Sequence, residues 1–394
     1  MPNSLPNIAN QTAFLLPTNF RINEVSAATA LRAIGGALPS LGPLGPLAAV
    51  TFSGSGFNTI FRPDNSATPT VFPTNPVVGP ADNVLELNLT TDNISFAQPL
   101  GSVPNRGSGA QGDIFFNGLP YMQTVTDVTI PSQPQPIHLE PGLWLNVGKS
   151  AHPAEGTDVV RMASIPHGTT VVAQGTVATV PHAPVIPSVD ITPFTIGNPA
   201  SKFAFPSQKA ASGNTRRIPQ NLAPFITAGT ITQAILDDPN SILRAHIAGQ
   251  TIISTDIITI DTHPATPLFG GGTDNIAFLM GDAAAASPNA NAIRMTATFW
   301  VETVEHLIHI PVIGPGHPPF VLPAFGGAAG NPMPHFTIAP PHPIPAPITI
   351  KVHSTQIQYS QTVFLNFNGL TWPHVSLATI VPAAPQSVPP SAWP

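Results

Sequence analysis

Cysteine is absent from the sequence, and charged residues are scarce. Without cysteine the chain can form no disulfide bond, no thiolate nucleophile, no zinc–cysteine site and no covalent link to c-type haem. Charged residues make up 8% of the chain, whereas typical soluble domains carry roughly 25%. Any bound metal must therefore be held by histidine, by carboxylate or by a cofactor.

Signals for nucleic acid, membranes and targeting are also missing. The formal net charge is −6, and no basic cluster is larger than Arg216-Arg217. These features exclude an electrostatic surface for nucleic acid. No run of about 18 apolar residues occurs, and the N-terminus lacks a basic segment followed by an apolar one. We expect no membrane span and no signal peptide, and a cytoplasmic location by default.

Proline is abundant, with 50 residues, and the chain also has 31 glycines. Proline breaks helices and central strands, so this density predicts many short strands joined by long, stiff loops. Disorder is the other common state of a proline-rich chain. However, 42% of the residues are apolar and 21 are phenylalanine, which is enough apolar surface to offset the entropy of ordering most of the chain.

Alternating segments rich in β-branched and aromatic residues recur between turn residues, and they predict antiparallel strands. The predicted strands or hairpins lie at 50–62, 83–90, 94–96, 113–125, 137–147, 159–175, 251–262, 275–280, 293–310 and 356–380. The last one is a hairpin around Asn368-Gly369, the strongest short turn signal in the chain. The fold class expected is mainly β, an antiparallel up-and-down barrel with long Pro-rich loops.

Helical signals are limited to two places. Residues 24–34 predict one short helix, and the period becomes helical near 230–249, where Asp238 should cap a helix that opens on Pro239. The expected organisation is an N-terminal arm with its short helix (1–47), a barrel domain (48–381) and a C-terminal tail (382–394). Two inserted loops, 181–221 and 311–347, belong to the barrel domain.

His374 is the first candidate for a functional residue. On the return strand of the terminal hairpin it shares a face with Ser376, Ala378 and Ile380. The small residues leave room beside the imidazole for a flat ligand. The alternative is a histidine in a turn after Trp372-Pro373 that makes ordinary hydrogen bonds.

Other histidines and carboxylates give weaker patterns. His138 and Glu140 share a strand face and could bind a metal or exchange protons, or they could form a hydrogen-bonded pair at the barrel rim. His167 precedes a glycine in a predicted turn and should be solvated. In 293–310, Glu302 and Glu305 each lie four residues before a histidine.

If residues 302–309 were helical, those two pairs would resemble a carboxylate-bridged metal site. The β-branched content favours a strand instead, with Glu302 and His306 on one face. The sequence contains no Gly-x-Ser-x-Gly elbow, no phosphate loop and no His-Glu-x-x-His motif. The common hydrolase and nucleotide-binding signatures are therefore absent.

Four segments, taken in order, resemble the nitrobindin family, small β-barrels of the lipocalin and fatty-acid-binding type that hold b-type haem through one histidine. They are 46–57, 137–144, 160–175 and 370–380. Phe52 stands where the family usually has tryptophan, and the family's final arginine after the last strand is missing. The chain is more than twice the usual length, so 181–221 and 311–347 would be insertions.

The resemblance implies that His374 is the proximal ligand of haem iron and that the entry strand contacts the cofactor through Gly54, Gly56 and Phe57. Glycine inside a strand marks a bend, a bulge or a close approach by something large. His138 and Glu140 would then be the acid–base pair on the distal side of the haem.

Three functions follow as alternatives. The first is a haem b protein whose iron acts on nitric oxide, peroxynitrite or peroxide. The second is a carrier or sensor of an apolar small molecule without haem, since barrels of this size enclose ligand cavities. The third is a self-assembling coat component, because low charge and exposed apolar loops suit interfaces. The sequence leaves the oligomeric state open.

Overall fold

The computed structural model describes residues 39–152, 154–156, 158–264, 270–281, 289–324 and 331–394. The helix predicted at 24–34 lies outside these residues. Ten long strands dominate the remainder, and most carry the alternating or β-branched pattern of the sequence. They are β1 (Thr51–Pro63), β2 (Asn83–Phe96), β3 (Ile114–Asp127), β4 (Gln135–Val147), β5 (Asp158–Ile165), β6 (Thr169–Val180), β7 (Thr251–Asp261), β8 (Asn291–Ile310), β9 (Ile348–Phe367) and β10 (Leu370–Pro382).

The ten strands form a closed antiparallel barrel. Each strand pairs with the next in the chain, and β1 also pairs with β10, from Phe52 opposite Pro382 to Thr59 opposite Val375. Closure leaves no free edge in the barrel wall. The predicted fold class, mainly β with an up-and-down barrel, is confirmed.

Two glycines allow the barrel to close at the β1–β10 seam. A Cβ at Gly54 would lie 2.0 Å from the carbonyl oxygen of Thr379, and one at Gly56 would lie 2.5 Å from that of Leu377. Either separation is far inside van der Waals contact. The close approach that the glycine pair predicts is therefore made by the neighbouring strand.

The lumen is apolar toward one end and is capped there. Its buried cluster includes Phe52, Trp144 and Phe299. The short 3-10 helix Gly42–Leu47 covers this end, and its Leu44 is fully buried in the same cluster. Burial of leucine on a cap of this kind removes apolar surface from water and seals the end of the lumen.

The insertion between β6 and β7 packs on the outer wall. Its helices are α1 (Ala223–Ala228), α2 (Gln233–Asp237) and α3 (Ser241–Ile247). The region also contains Phe194–Thr195, Asn198–Lys202, Arg217–Ile218 and the 3-10 helix Pro206–Gln208. Apolar side chains of the helices join an outer cluster that includes Leu243, Trp300 and Trp372. The loop predicted at 181–221 is thus a folded cover.

Helical structure is present near 230–249 as predicted, but the N-cap residue differs from the predicted one. Two short helices, α2 and α3, replace one, and Asn240 is the N-cap of α3. Asp238 lies in extended backbone after α2, where its Oδ1 accepts hydrogen bonds from the backbone N–H groups of Val189 and Asn240. Its carboxylate therefore joins Val189 to the N-terminal end of α3, two residues before the N-cap.

The insertion 311–347 forms a second, small sheet. Its strands are Phe320–Pro323 and His335–Ile338, and Gln386–Ser387 of the tail completes it. Phe336 and the extended ends of β8 and β9 form its core, against which Trp393 packs. The tail predicted at 382–394 is therefore part of this sheet, and it ends with the 3-10 helix Pro390–Ala392.

Two strand predictions need correction. Residues 83–90 and 94–96 are one continuous strand, β2. Residues 275–280 are mostly helical, because the short strand Gly272–Asn275 is followed by α4 (Ala277–Met280). Alanine, leucine and methionine are good helix formers, and Gly281 at φ 69° ends the turn.

The remaining short strands in the described residues are Val103–Asn105, Ser150–Ala151 and Ala154–Glu155. In the described ranges, every helix is too short or too polar to cross a membrane. The terminal hairpin turns at Asn368 and Gly369, both at positive φ (48° and 77°), as the Asn-Gly signal predicts.

Candidate ligand site at the polar end of the barrel

Three histidines lie at the end of the barrel opposite the 3-10 cap. His138 is on β4, His167 is in the β5–β6 turn, and His374 is on β10. The His138 side chain is 20% exposed, His167 is exposed and His374 is half-buried. The lumen therefore reaches solvent here. Three strands, β1 to β3, separate His138 from His374, which places them on different walls.

His374 faces the lumen, on the inner face that also carries Ala378 and Ile380. Its Nε2 lies 2.8 Å from Nδ2 of Asn58, and the same amide donates to Oγ of Ser376 at 2.8 Å. An amide NH₂ group only donates, so Nε2 accepts and the ring proton sits on Nδ1.

Burial lowers the pKa of His374 to about 3, with smaller effects from His138 and His167. The imidazole is therefore neutral at physiological pH. A neutral imidazole with its lone pair on Nε2 is the form that ligates a metal.

His138 and Glu140 form the hydrogen-bonded pair that was one of the two expectations. Nε2 of His138 lies 3.2 Å from Oε2 of Glu140. The ring centroids of His138 and His167 are 5.9 Å apart, and Nε2 of His167 lies 3.1 Å from the carbonyl oxygen of Ile137. Glu140 thus orients His138 at the mouth of the lumen.

Glu140 is anchored deeper by Arg161, which the sequence analysis missed. Nη2 of Arg161 donates to Oε1 of Glu140 at 2.5 Å, and the Tyr121 hydroxyl donates to the same oxygen. Both side chains of this ion pair are almost fully buried, at 2% and 1% exposure. Arg161 also donates to Oε1 of Gln361 at 2.6 Å, and its guanidinium lies 5.3 Å from the ring centroid of Phe299.

The ion pair decides the protonation state of Glu140. Burial alone would raise its pKa, but the charge of Arg161 and the hydrogen bonds from His138 and Tyr121 outweigh burial and lower it to about 2. Glu140 is therefore ionised at neutral pH. Its role in this geometry is to position His138, and His138 is the member of the pair that can exchange a proton with a ligand.

A second carboxylate, Asp92, lies on the inner face of β2. It accepts from the hydroxyls of Thr90 and Tyr359, and Tyr359 in turn accepts from Nε2 of Gln123 at 3.0 Å. Burial raises the pKa of Asp92 to about 6, against the lowering effect of the two hydroxyls. In β2, Asn88 and Thr90 alternate with Leu87 and Leu89, and this pattern is a sequence signal for the polar inner face.

The remaining predicted residues lie elsewhere. Phe57 faces the outer cluster, away from the lumen. The space beside Gly56 is taken by Leu377 and by Thr90 and Asp92, whose oxygens would lie 2.7 Å and 2.9 Å from an added Cβ. Gly54 is closed off by β10 in the same way. Gly54, Gly56 and Phe57, which the resemblance assigns to the cofactor, therefore contact other residues of the protein in this structure.

Residues 302–309 belong to strand β8, so the helical alternative is wrong. Glu302 and His306 are buried on the outer wall, where Glu302 accepts from Nε2 of Gln356 at 2.6 Å and His306 Nε2 lies 2.8 Å from Oγ of Ser354. Across the described part of the chain, no group of three or more His, Asp or Glu side chains is arranged to hold a metal ion.

No protein-family model matches the chain, and the search of curated proteins gives no match. One solved structure that matches is that of Rv2717c from M. tuberculosis, with 10% sequence identity over 88% of this chain and 98% of that chain and a TM-score of 0.33. A likeness of this degree carries no inference about function.

Proposed function

We propose that this barrel binds b-type haem at its polar end, with His374 as the proximal ligand of the iron. The observation that carries the proposal is the neutral His374 imidazole with its lone pair on Nε2, facing the lumen where solvent enters. Haem iron takes its axial ligand from a histidine in this form. The four sequence segments that resemble nitrobindins support the same assignment.

The residues at the polar end fit such a group in their donor chemistry. His374 would hold the iron, and the small residues Ser376 and Ala378 follow it on the same strand face. Asn58 would have to give up its bond to Nε2. Bound haem would supply an iron atom able to take up nitric oxide, peroxynitrite or peroxide.

His138 lies on a different wall of the barrel from His374, and it is the residue that would act on a bound ligand. Glu140 fixes its ring through Nε2, and Arg161 keeps Glu140 ionised. A histidine held in this way through Nε2 can donate or accept a proton at its other ring nitrogen, Nδ1. Arg161, Tyr121 and Tyr359 fill the lumen below, so the ligand would lie between this network and solvent.

The apolar half of the lumen does not favour the second alternative, a carrier of an apolar molecule. The cavity there is ≈ 10 Å³ and is lined by side chains such as Phe96, Trp144 and Phe299. A single water requires about 10 to 15 Å³ of such volume. Within the lumen, a ligand of useful size therefore needs the polar end, whose groups suit a metal-centred ligand better than a hydrocarbon.

Titration of the purified chain with haemin tests the proposal. We expect a Soret band with the wild type and its loss in His374→Ala, because the axial nitrogen is removed. His306→Ala is the matched control, since His306 is also a hydrogen-bonded strand histidine but lies buried on the outer wall. Circular dichroism checks that both variants fold. An identical spectrum in wild type and His374→Ala would contradict the proposal.

A further inference from the structure

Asn58 contacts the ring nitrogen of His374 that a ligand would need. Its amide uses one hydrogen for Nε2 of His374 and the other for Oγ of Ser376, both at 2.8 Å. Asn58 lies directly opposite Ser376 in the pairing of β1 with β10. The bond to His374 therefore runs diagonally between the two strands, to the residue two positions before Ser376. Asn58 is only 8% exposed, so water does not readily replace this bond.

The bond has two opposite effects on His374. It fixes the Nδ1–H tautomer, which leaves the lone pair on Nε2 as an iron ligand requires. It also occupies that lone pair. In the described residues Asn58 is the polar partner seen at the His374 ring, so the same amide prepares the ligand and covers it.

We propose that Asn58 is a gate on His374: a ligand reaches Nε2 only by displacing the Asn58 amide. The inference rests on the proposed function and concerns regulation of the same site. It also implies selectivity, because a ligand must offer an electron-pair acceptor such as a metal centre to replace the amide. An apolar molecule offers none.

The surroundings of Asn58 allow the exchange. When the amide releases His374 it keeps its bond to Ser376, and its Oδ1 accepts from Nδ2 of Asn88 at 3.4 Å. Only one hydrogen bond is given up, and the iron–nitrogen bond replaces it. Asn58 therefore keeps two of its three described hydrogen bonds and loses the one from its amide to Nε2.

The test compares wild type with Asn58→Ala. Asn146→Ala is the matched control, because Asn146 is also a barrel asparagine at 8% exposure with a 2.8 Å bond, but it bonds the backbone of Ser40 at the capped end. Stopped-flow and equilibrium titrations with haemin measure the rate and affinity of binding. Nitrogen-15 NMR of the haem-free protein reads the tautomer of His374.

We expect Asn58→Ala to bind haemin about five- to tenfold more tightly, because the one hydrogen bond that binding breaks is absent. The rate should rise with the affinity, whereas Asn146→Ala should match wild type. The haem-free wild type should show His374 protonated on Nδ1, and Asn58→Ala should lose that preference.

Other outcomes overturn the gate in distinguishable ways. If wild type binds haemin and Asn58→Ala binds it equally or less tightly, the gate is wrong and the proposed function stands. A wild-type His374 protonated on Nε2 also overturns the gate, whatever the variant does. If neither protein binds haemin, the proposed function fails and the gate fails with it.

Discussion

Glu140 and Glu302 are almost equally buried, yet at neutral pH the first is ionised and the second is protonated. Glu140 faces the lumen at 1% exposure, and Glu302 faces the outer cover at 0% exposure. The pKa of Glu140 is lowered to about 2, whereas burial raises that of Glu302 to about 8. The difference comes from Arg161, which pairs with Glu140 and has no counterpart beside Glu302 among the described residues.

Glu302 accepts one hydrogen bond, from Gln356, which is itself bonded to Gln250 beside α3. Within the described ranges its other oxygen has no partner and no cation pairs with it. Asp92 is intermediate, with two hydroxyl donors and a smaller charge effect from His138, and its pKa is about 6. Hydrogen-bond donors and cations, more than depth of burial, therefore decide which buried acid stays charged.

Removing Arg161 should have the largest effect. Arg161→Met leaves Glu140 buried without its cation, which typically costs about 3 to 5 kcal/mol of unfolding free energy. Denaturant unfolding at neutral pH measures the loss. Arg294→Met is the control, because its pair with Asp261 is 47% and 20% exposed and should cost roughly 0 to 1 kcal/mol.

A double variant separates the ion pair from packing. Arg161→Met combined with Glu140→Leu removes both charges, so most of the lost stability should return. Equal losses in the single and double variants would show that the charge of Glu140 is not what makes Arg161 necessary.

Glu302→Gln should change stability in the opposite direction. In the unfolded chain the Glu302 pKa is near its ordinary 4.5, and in the folded protein it is about 8. Between these values only the folded state holds the proton, so wild-type stability falls as pH rises from 4.5 to about 8. A glutamine carries no such proton, so at pH 8 the variant should be more stable by on the order of 3 kcal/mol.

Unfolding curves at pH 5 and pH 8 measure this effect. Glu305→Gln is the control three residues away, where Lys351 at 3.1 Å and His353 lower the pKa of a carboxylate near the surface. It should not remove the alkaline loss of stability. If the Glu302→Gln protein loses stability between the two pH values as steeply as wild type, the proton on Glu302 is not the cause of that loss.

The barrel itself could be predicted from the sequence, because alternation along each strand and turns such as Asn368-Gly369 are local signals. His374 could be assigned to one strand face by the same period. The glycine pair predicted a close approach, but only the register shows that β10 makes it.

The ion network could not be predicted, because its members come together only in the closed barrel. Arg161 on β5 meets Glu140 on β4 and Tyr121 on β3. Likewise, the burial of Glu302 depends on the cover formed by 181–250, of which the sequence predicts 181–221 as a loop and only the part near 230–249 as helical. The helix α4 was missed because four residues give no period to detect.

The smallest expected effect concerns the intermediate acid, Asp92. Tyr359→Phe removes one of its two hydroxyl donors, so its pKa should rise above about 6, toward that of Glu302. Wild-type stability falls from pH 3.8 to about 6 because only the folded state keeps the proton, and the variant should extend this fall to higher pH. The lost hydrogen bond should cost about 1 to 2 kcal/mol at pH 7.

Carbon-13 NMR of the carboxyl groups follows the titration of Asp92, with Glu302 on the outer wall as the internal control whose pKa should not change. Thr90→Val removes the other donor and should shift Asp92 in the same direction; an unmoved Asp92 in both variants would mean that hydroxyl donors do not place it between Glu140 and Glu302.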